Sequence, residues 1–345
     1  MKNILSRNTL RAAALAAITC AQPCAALAET AAEFYARTPL TIAIGTGVGG
    51  VNDLIARTLM RHLGRHMPAG ARVQVQNVPG AGGLTLANQL AKTTPRDGSV
   101  IASINRAAIF DELYEGRHGR VMFNPREFNW IGSPDRATAV AISWHTSKVR
   151  TASDLLQHEL VVGSAGATTT TVPKLLGELA GFKFKIVVGY KSGGDVDLAI
   201  QRGEVEGRGA TAWGGLKSRN SEWINEKKVN LLYQTGLSKH PDLPHVPLAL
   251  DFAKNPDDRK LLELFFAAED LGFPYVAPAG VPAERLAVLR AAFENTMKDS
   301  LFLSEMTKQK LDVNPVSWQD MKRIVDESYS APESLKLRLR NALKE

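Results

Sequence analysis

Three times in this chain a short apolar run ends in a glycine-rich turn that opens a helix-like pattern, at residues 45–52, 79–83 and 163–169. Repetition of that unit builds a parallel sheet with helices on its faces, because a parallel neighbour is reached only by a crossover long enough to hold a helix. The first run, 40–44, leads into Val51, Leu54, Ile55, Leu59 and Leu63, which recur at helical spacing with Arg57, Arg61 and Arg65 on another face. Runs at 72–76 and 100–104, separated by a helix through Leu84, Ala87 and Leu90, complete a βαβαβ order. A second α/β series begins at 139–144, with strands expected at 160–163, 185–188 and 229–233 and helices at 172–180 and 195–202. Thr151 to Asp154 reads as the start of a capped helix. From Arg259 onward the pattern is mostly helical, broken at 273–278 and at Pro315.

Two such series predict an α/β chain of two lobes. Residues 37–139 and 236–345 are expected to form the first and 140–235 the second, with a hinge of two crossing strands near Ala139 and Thr235. A hinge of that kind absorbs a closing rotation at few residues. Ahead of both lies a basic n-region (Lys2, Arg7, Arg11), a short apolar stretch to Cys20 and the small-residue tripeptide Ala26-Leu27-Ala28. This pattern predicts a secretory leader over 1–28, removed on export to the periplasm. Both cysteines, Cys20 and Cys24, fall inside it, so the exported chain is expected to carry neither disulfides nor thiolate metal sites.

Lys and Arg number 42 against 35 Asp and Glu, and three of the cations belong to the leader, which leaves an excess of four. The cations are spread without interleaved aromatics, which excludes a nucleic-acid-binding reading. No acid occurs from Leu54 through Arg96, where eight Arg, Lys and His residues do; such a stretch would steer anions.

Gly45-Thr46-Gly47-Val48-Gly49-Gly50 has the spacing of a dinucleotide fingerprint, but the strand that should end in an acid for the ribose ends in Gln76-Asn77. The other use of such a turn is simpler: the first N–H groups of a helix lack intrahelical partners, carry the positive end of its dipole and bind anions. Glycine there lets a ligand come close. Three turns of this type, the third followed by Thr168 to Thr171, predict a clamp for a carboxylate at the carboxyl ends of the strands. His62 and His66 are one helical turn apart, yet Leu63 stands where a zinc protease has its glutamate, and both are expected to be surface residues without metal. Ser164 lacks the preceding glycine of a nucleophile elbow. Asp195 and Asp197 fall at a helix start, where acids favour the dipole.

The blocks Gly49 to Arg57, Asn77 to Gly83, Gly163 to Gly166, Gly189 to Gly194 and Ala277 to Pro282 resemble those of the Bug-type substrate-binding proteins of tripartite tricarboxylate transporters. The resemblance spans nearly all of the chain after the leader. It implies a two-lobed periplasmic binding protein of type II, the Venus-flytrap form, that is not an enzyme and takes no cofactor. It further implies a small mono- or dicarboxylate ligand, and as partners the small and large integral membrane subunits of the transporter, with the chain acting as a monomer. On the matching positions it places Val48, Gly49, Gly50 and Asn52 at the first anion turn, Ala81 and Gly82 at the second, and Asn105 at the end of the third strand. Ala165, Gly166, Thr168 and Thr169 face them from the second lobe. The sequence departs from the family pattern at Thr46 to Val48, Val51, Asn52 and Ala210. Arg106, Arg208 and Trp213, each just beyond a strand expected on the cleft side, are candidate side-chain contacts of this chain alone. An exported hydrolase or isomerase, or a sensory receptor on the same fold, are the alternatives; an enzyme would need an acid–base pair or a nucleophile in the cleft.

Overall fold

A computed structural model describes residues 29–116 and 119–344. The expected leader and both cysteines lie outside them. Helix α1 (Ala31–Arg37) precedes β1 (Leu40–Ile44), α2 (Val51–Leu63), β2 (Val73–Asn77), α3 (Leu84–Lys92), β3 (Val100–Ser103), α4 (Arg106–Glu115) and β4 (Asn129–Ser133). The second series runs β5 (Ala139–Trp144), β6 (Leu160–Gly163), α5 (Ala167–Ala180), β7 (Phe184–Val187), α6 (Gly193–Gln201), β8 (Gly207–Ala212), α7 (Trp213–Arg219), α8 (Ser221–Asn225) and β9 (Val229–Gln234). The chain closes with α9 (Pro256–Leu271), β10 (Tyr275–Ala277), α10 (Ala283–Lys298), α11 (Ser300–Lys308), β11 (Val316–Ser317), α12 (Trp318–Ser330) and α13 (Glu333–Lys344).

The strands form two sheets, β11-β4-β10-β3-β1-β2 and β7-β6-β8-β5-β9, one for each of two lobes. The expected parallel core is present as β2-β1-β3 and β7-β6-β8, but both sheets are mixed. Strand β10 enters antiparallel between β3 and β4, and β5 runs antiparallel to β8 and β9. The break expected at 273–278 is therefore a strand. The capped helix expected after Thr151 is one short 3-10 turn, Ser153–Leu156.

Alternation along each strand sorts the core. Leu40, Ile42 and Ile44 pack with Ile101 and Tyr275 against α1, α2, α10 and α11 on one face of the first sheet. Ala43, Ala102 and Trp130 turn to the other face, beneath α3, α4, α9, α12 and α13. That second layer runs on without a break into the other lobe, through α5 (Leu175, Leu176, Leu179) to Ala141, Val162 and Leu232. Val140 and Ile142 face a third cluster under α6 to α8.

The chain leaves the first sheet after Ser133 and returns from the second after Gln234. These two segments meet: Ala139 N–H donates to Thr235 Oγ1 (3.0 Å) and Thr235 N–H to the Ala139 carbonyl (2.9 Å). Asp270, buried at the end of α9, ties both, accepting from Leu237 N–H (2.8 Å) and from Arg136 Nη1 (2.6 Å). No helix among the described residues is long and apolar enough to cross a membrane.

Candidate functional site

Both lobes line a cavity of about 660 Å³. The first lobe contributes Val51, Leu54 and Ile55 from the start of α2, Arg106 from the start of α4, and residues 309–312 beyond α11. From the second come Thr169 in the first turn of α5, the end of β8, and Gly214, Gly215 and Arg219 of α7. The crossing segment, residues 135–139, and Glu269 with Phe273 complete it. Apolar surface from Val51, Leu54, Ala137, Ala210 and Phe273 suits a carbon body, with polar groups at few places.

Helix starts therefore converge on this space. In α2 the first intrahelical bond is from Leu54 N–H to the Gly50 carbonyl (2.9 Å); in α5 it is from Thr170 N–H to Gly166 (3.2 Å). The N–H groups of 51–53 and 167–169 thus have no partner within their helices. The Gly49 amide, expected to meet the ligand, instead donates to Asp53 Oδ2 (3.0 Å). Asp53 is 3% exposed and also accepts from Arg57 Nε (3.0 Å) and Asn77 Nδ2 (2.9 Å). The Arg57 bond foremost, with those from Gly49 and Asn77, holds its carboxyl down at about 2 against the opposing effect of burial.

At the third turn the hydroxyls close on themselves. Ser164 Oγ lies 2.7 Å from the hydroxyls of both Thr169 and Thr170, and these donate to the Gly166 carbonyl (2.9 and 3.1 Å). Ala165 N–H donates to Thr169 Oγ1 (3.2 Å). Ser164 is thus a buried scaffold residue, and the polar surface left is backbone. Gly166 is exposed, and a Cβ added there would meet nothing within 4 Å. The side chain of Thr168 lies outside the described residues.

Arg106 and Thr169 are the sequence candidates that line the cavity; of the first turn it is Val51, between Gly50 and Asn52, that lines it. Val48 is an exposed residue of the turn. Ala81 and Gly82 are exposed but not in the lining, and the turn they form packs by Gly83 on Asn105, whose Oδ1 caps α4 by accepting from Ala107 N–H (3.0 Å). Arg208 is not beyond a strand: it lies within β8, 5% exposed, with Nη1 2.9 Å from Asp197 Oδ1 on α6. This corrects its expected place and that of Asp197, because a buried guanidinium needs a buried partner. Trp213 packs in the third cluster, its Nε1 donating to Asp242 Oδ2 (3.1 Å). Of the two histidines expected at the surface, His66 is partly exposed and His62 is buried. His62 is 6% exposed with Nε2 2.5 Å from Glu305, joining α2 to α11, and His66, in the 3-10 turn after α2, has Nε2 2.9 Å from Asp299, the N-cap of α11. Among the described residues no cluster of His, Cys, Asp and Glu is built to hold a metal ion.

The sequence reading missed the charges that frame the cavity. Asp135 and Glu269 are lining residues, and each also has one buried carboxylate oxygen, Oδ1 and Oε2, without a hydrogen-bond partner. Burial, with the charge of Asp312 second, pushes the Asp135 carboxyl up to about 7; burial pushes that of Glu269 up to about 7 against a hydrogen bond from Thr235 and the charge of Arg106. Asp312 is bound to Lys217 Nζ (2.6 Å), which joins the two lobes, as does Lys310 Nζ to the Ser218 carbonyl (3.3 Å). Arg219 approaches over Gly215, where a Cβ would sit 3.1 Å from its Nη1. Only the Ser-Pro-Asp-Arg turn and the Trp-Gly-Gly helix start could have hinted at these positions.

No family model matches the sequence. The UPF0065 protein in the gbd 5'region of Cupriavidus necator is 25% identical over 322 residues, covering 90% of this chain and 89% of that protein. A solved TctC solute binding protein from Polaromonas, without ligand, superposes with a TM-score of 0.66 at 14% identity, over 89% of this chain and 98% of that one. R. palustris Rpa4515 with adipate gives 0.55 at 19% identity (88% and 98%), and the periplasmic binding protein BugD 0.52 at 18% (88% and 97%). The two-lobed fold is that of the TctC and Bug solute-binding proteins, as the sequence blocks implied.

Proposed function

We propose that this chain is an extracytoplasmic solute receptor of the Bug type, which takes a small organic carboxylate between its lobes and delivers it to the small and large membrane subunits of a tripartite tricarboxylate-type transporter. The observation that carries this reading is the convergence of helix starts from both lobes on one apolar-bodied cavity. Unpaired N–H groups at those starts favour a negative guest, and Arg106 and Arg219 add positive charge beside them. The adipate held by a structure of the same fold supports a carboxylate of this size. A leader over 1–28 accords with export to the periplasm. Ser164 is locked among hydroxyls rather than paired with a base, which favours a binding role over catalysis. Isothermal titration of the exported chain against a panel of mono- and dicarboxylates tests the proposal. Saturable binding of at least one acid is expected, with a thermal shift equivalent to about 2.7 kcal/mol at 100 Kd; a panel with no binder would refute it.

A further inference from the structure

The start of α2 already holds an anion of the protein's own. Asp53, in the first turn of that helix, accepts from the Gly49 amide with Oδ2 and is 3% exposed. A carboxylate there meets the positive end of the helix dipole, and a guest carboxylate arriving at the same end would be repelled by it. Arg57, one turn further along, answers that charge: its Nε donates to both oxygens of Asp53 (3.0 Å each) and its Nη2 to Asn77 Oδ1 (2.9 Å). Asn77, the last residue of β2, in turn donates through Nδ2 to Asp53 Oδ1 (2.9 Å) and to the Thr46 carbonyl (3.0 Å). The three side chains thus brace the turn between β1 and α2 from behind. Packing within the turn does not do this, since a Cβ at Gly47 or Gly49 would meet nothing within 4 Å. None of the three residues lines the cavity; from α2 that is done by Val51, Leu54 and Ile55.

We propose that Arg57 is a positioning residue for the guest: by neutralising Asp53 and tying it to Asn77, it keeps the start of α2 shaped and attractive for a carboxylate that Arg57 itself never touches. This deepens the carboxylate reading and rests on it. The pair is unequally buried. The Asp53 side chain is 4% exposed and that of Arg57 36%, so water reaches the cation but cannot screen the acid. Removing Arg57 therefore leaves a buried, uncompensated negative charge in the first turn of the helix that must receive the guest. Removing the charge of Asp53 has the opposite consequence, because the helix start then keeps its own dipole and gains an unpaired cation nearby. A scaffold role alone would make both losses weaken binding; the charge role gives them opposite signs.

Titration calorimetry with succinate, adipate and hexanoate tests this on the natural chain, R57Q, D53N and the double variant, with circular dichroism to verify folding. For each acid that the natural chain binds, R57Q should bind at least about tenfold more weakly and D53N, whose oxygen can still accept from Gly49, about two- to fivefold more tightly. The double variant should return to within about threefold of the natural chain. An R57Q affinity within about threefold of the natural one, or a double variant no tighter than R57Q, would overturn the inference and leave the carboxylate receptor standing. Should R57Q not fold, D53N decides: tighter binding than the natural chain supports the inference, and binding no tighter refutes it. Failure of the natural chain to bind any of the three acids would overturn both.

Discussion

Gly166 and Arg208 show how differently two residues of one lobe serve the molecule. Gly166 stands bare at the start of α5, in extended backbone that any residue adopts (φ 175°). Gly166→Asp should therefore fold normally, as judged by circular dichroism, yet lose on the order of 100-fold or more in carboxylate affinity by calorimetry, because one anion is placed where another must lie. Arg208 was legible only as a cation near a strand end; that its strand turns it inward depends on Asp197, whose i-to-j pairing no local pattern reveals. Arg208→Met strands a buried carboxylate and should cost about 3–5 kcal/mol in denaturant unfolding. Ligand affinity should remain unchanged, the outcome that separates a scaffold role from a contact with the guest.

Among the elements, those with bulky alternation were readable and those built of small residues were not. Strands β1, β5 and β6 match the runs expected from sequence, because Leu, Ile or Val alternate along one face of β1 and β5 and make up most of β6. Strand β8 reads Gly-Arg-Gly-Ala-Thr-Ala, yet it is central in its sheet. Its glycines are required by neighbours, since a Cβ at Gly207 would lie 2.0 Å from the Ile142 carbonyl oxygen and one at Gly209 2.7 Å from Pro173. The start of α2 was half legible: the turn was visible, but the role of Asp53 in closing it was not. Asp53→Ala should destabilise the fold by about 1–2 kcal/mol through loss of that cap. Because its folded carboxyl titrates below its unfolded value, the contribution is complete above about pH 4 and fades as pH falls toward 2. Unfolding curves measured from pH 2 to 5 should show this slope in the natural chain and a shallower one in the variant.

For the whole molecule, the cavity's acids impose the opposite dependence. Glu269 keeps its proton to about pH 7 when folded, whereas the unfolded carboxyl releases it near the ordinary value of 4.5. Between those limits unfolding releases a proton, so stability falls as pH rises through the window, and the loss without ligand should be on the order of 1–3 kcal/mol. Scanning calorimetry from pH 4.5 to 7.5 should show the decline, and E269Q should flatten it; an undiminished slope in the variant would remove Glu269 as the cause. The two-lobe division was visible in sequence as two α/β series, but the acids were not, since Asp135 and Glu269 come to one cavity only when the crossing segment packs on α9, where Ala137 N–H donates to the Glu269 carbonyl.

The apolar layer that continues from α9 through α5 also decides what the halves can do apart. Separated, each would turn Leu175, Leu179 or Leu261 outward to water, with roughly 1.5–3 kcal/mol lost for each such side chain. A fragment of residues 140–235 made alone should accordingly give no cooperative melting transition, while the intact protein melts in one step. Two-sheeted by architecture, the molecule is a single unit of folding.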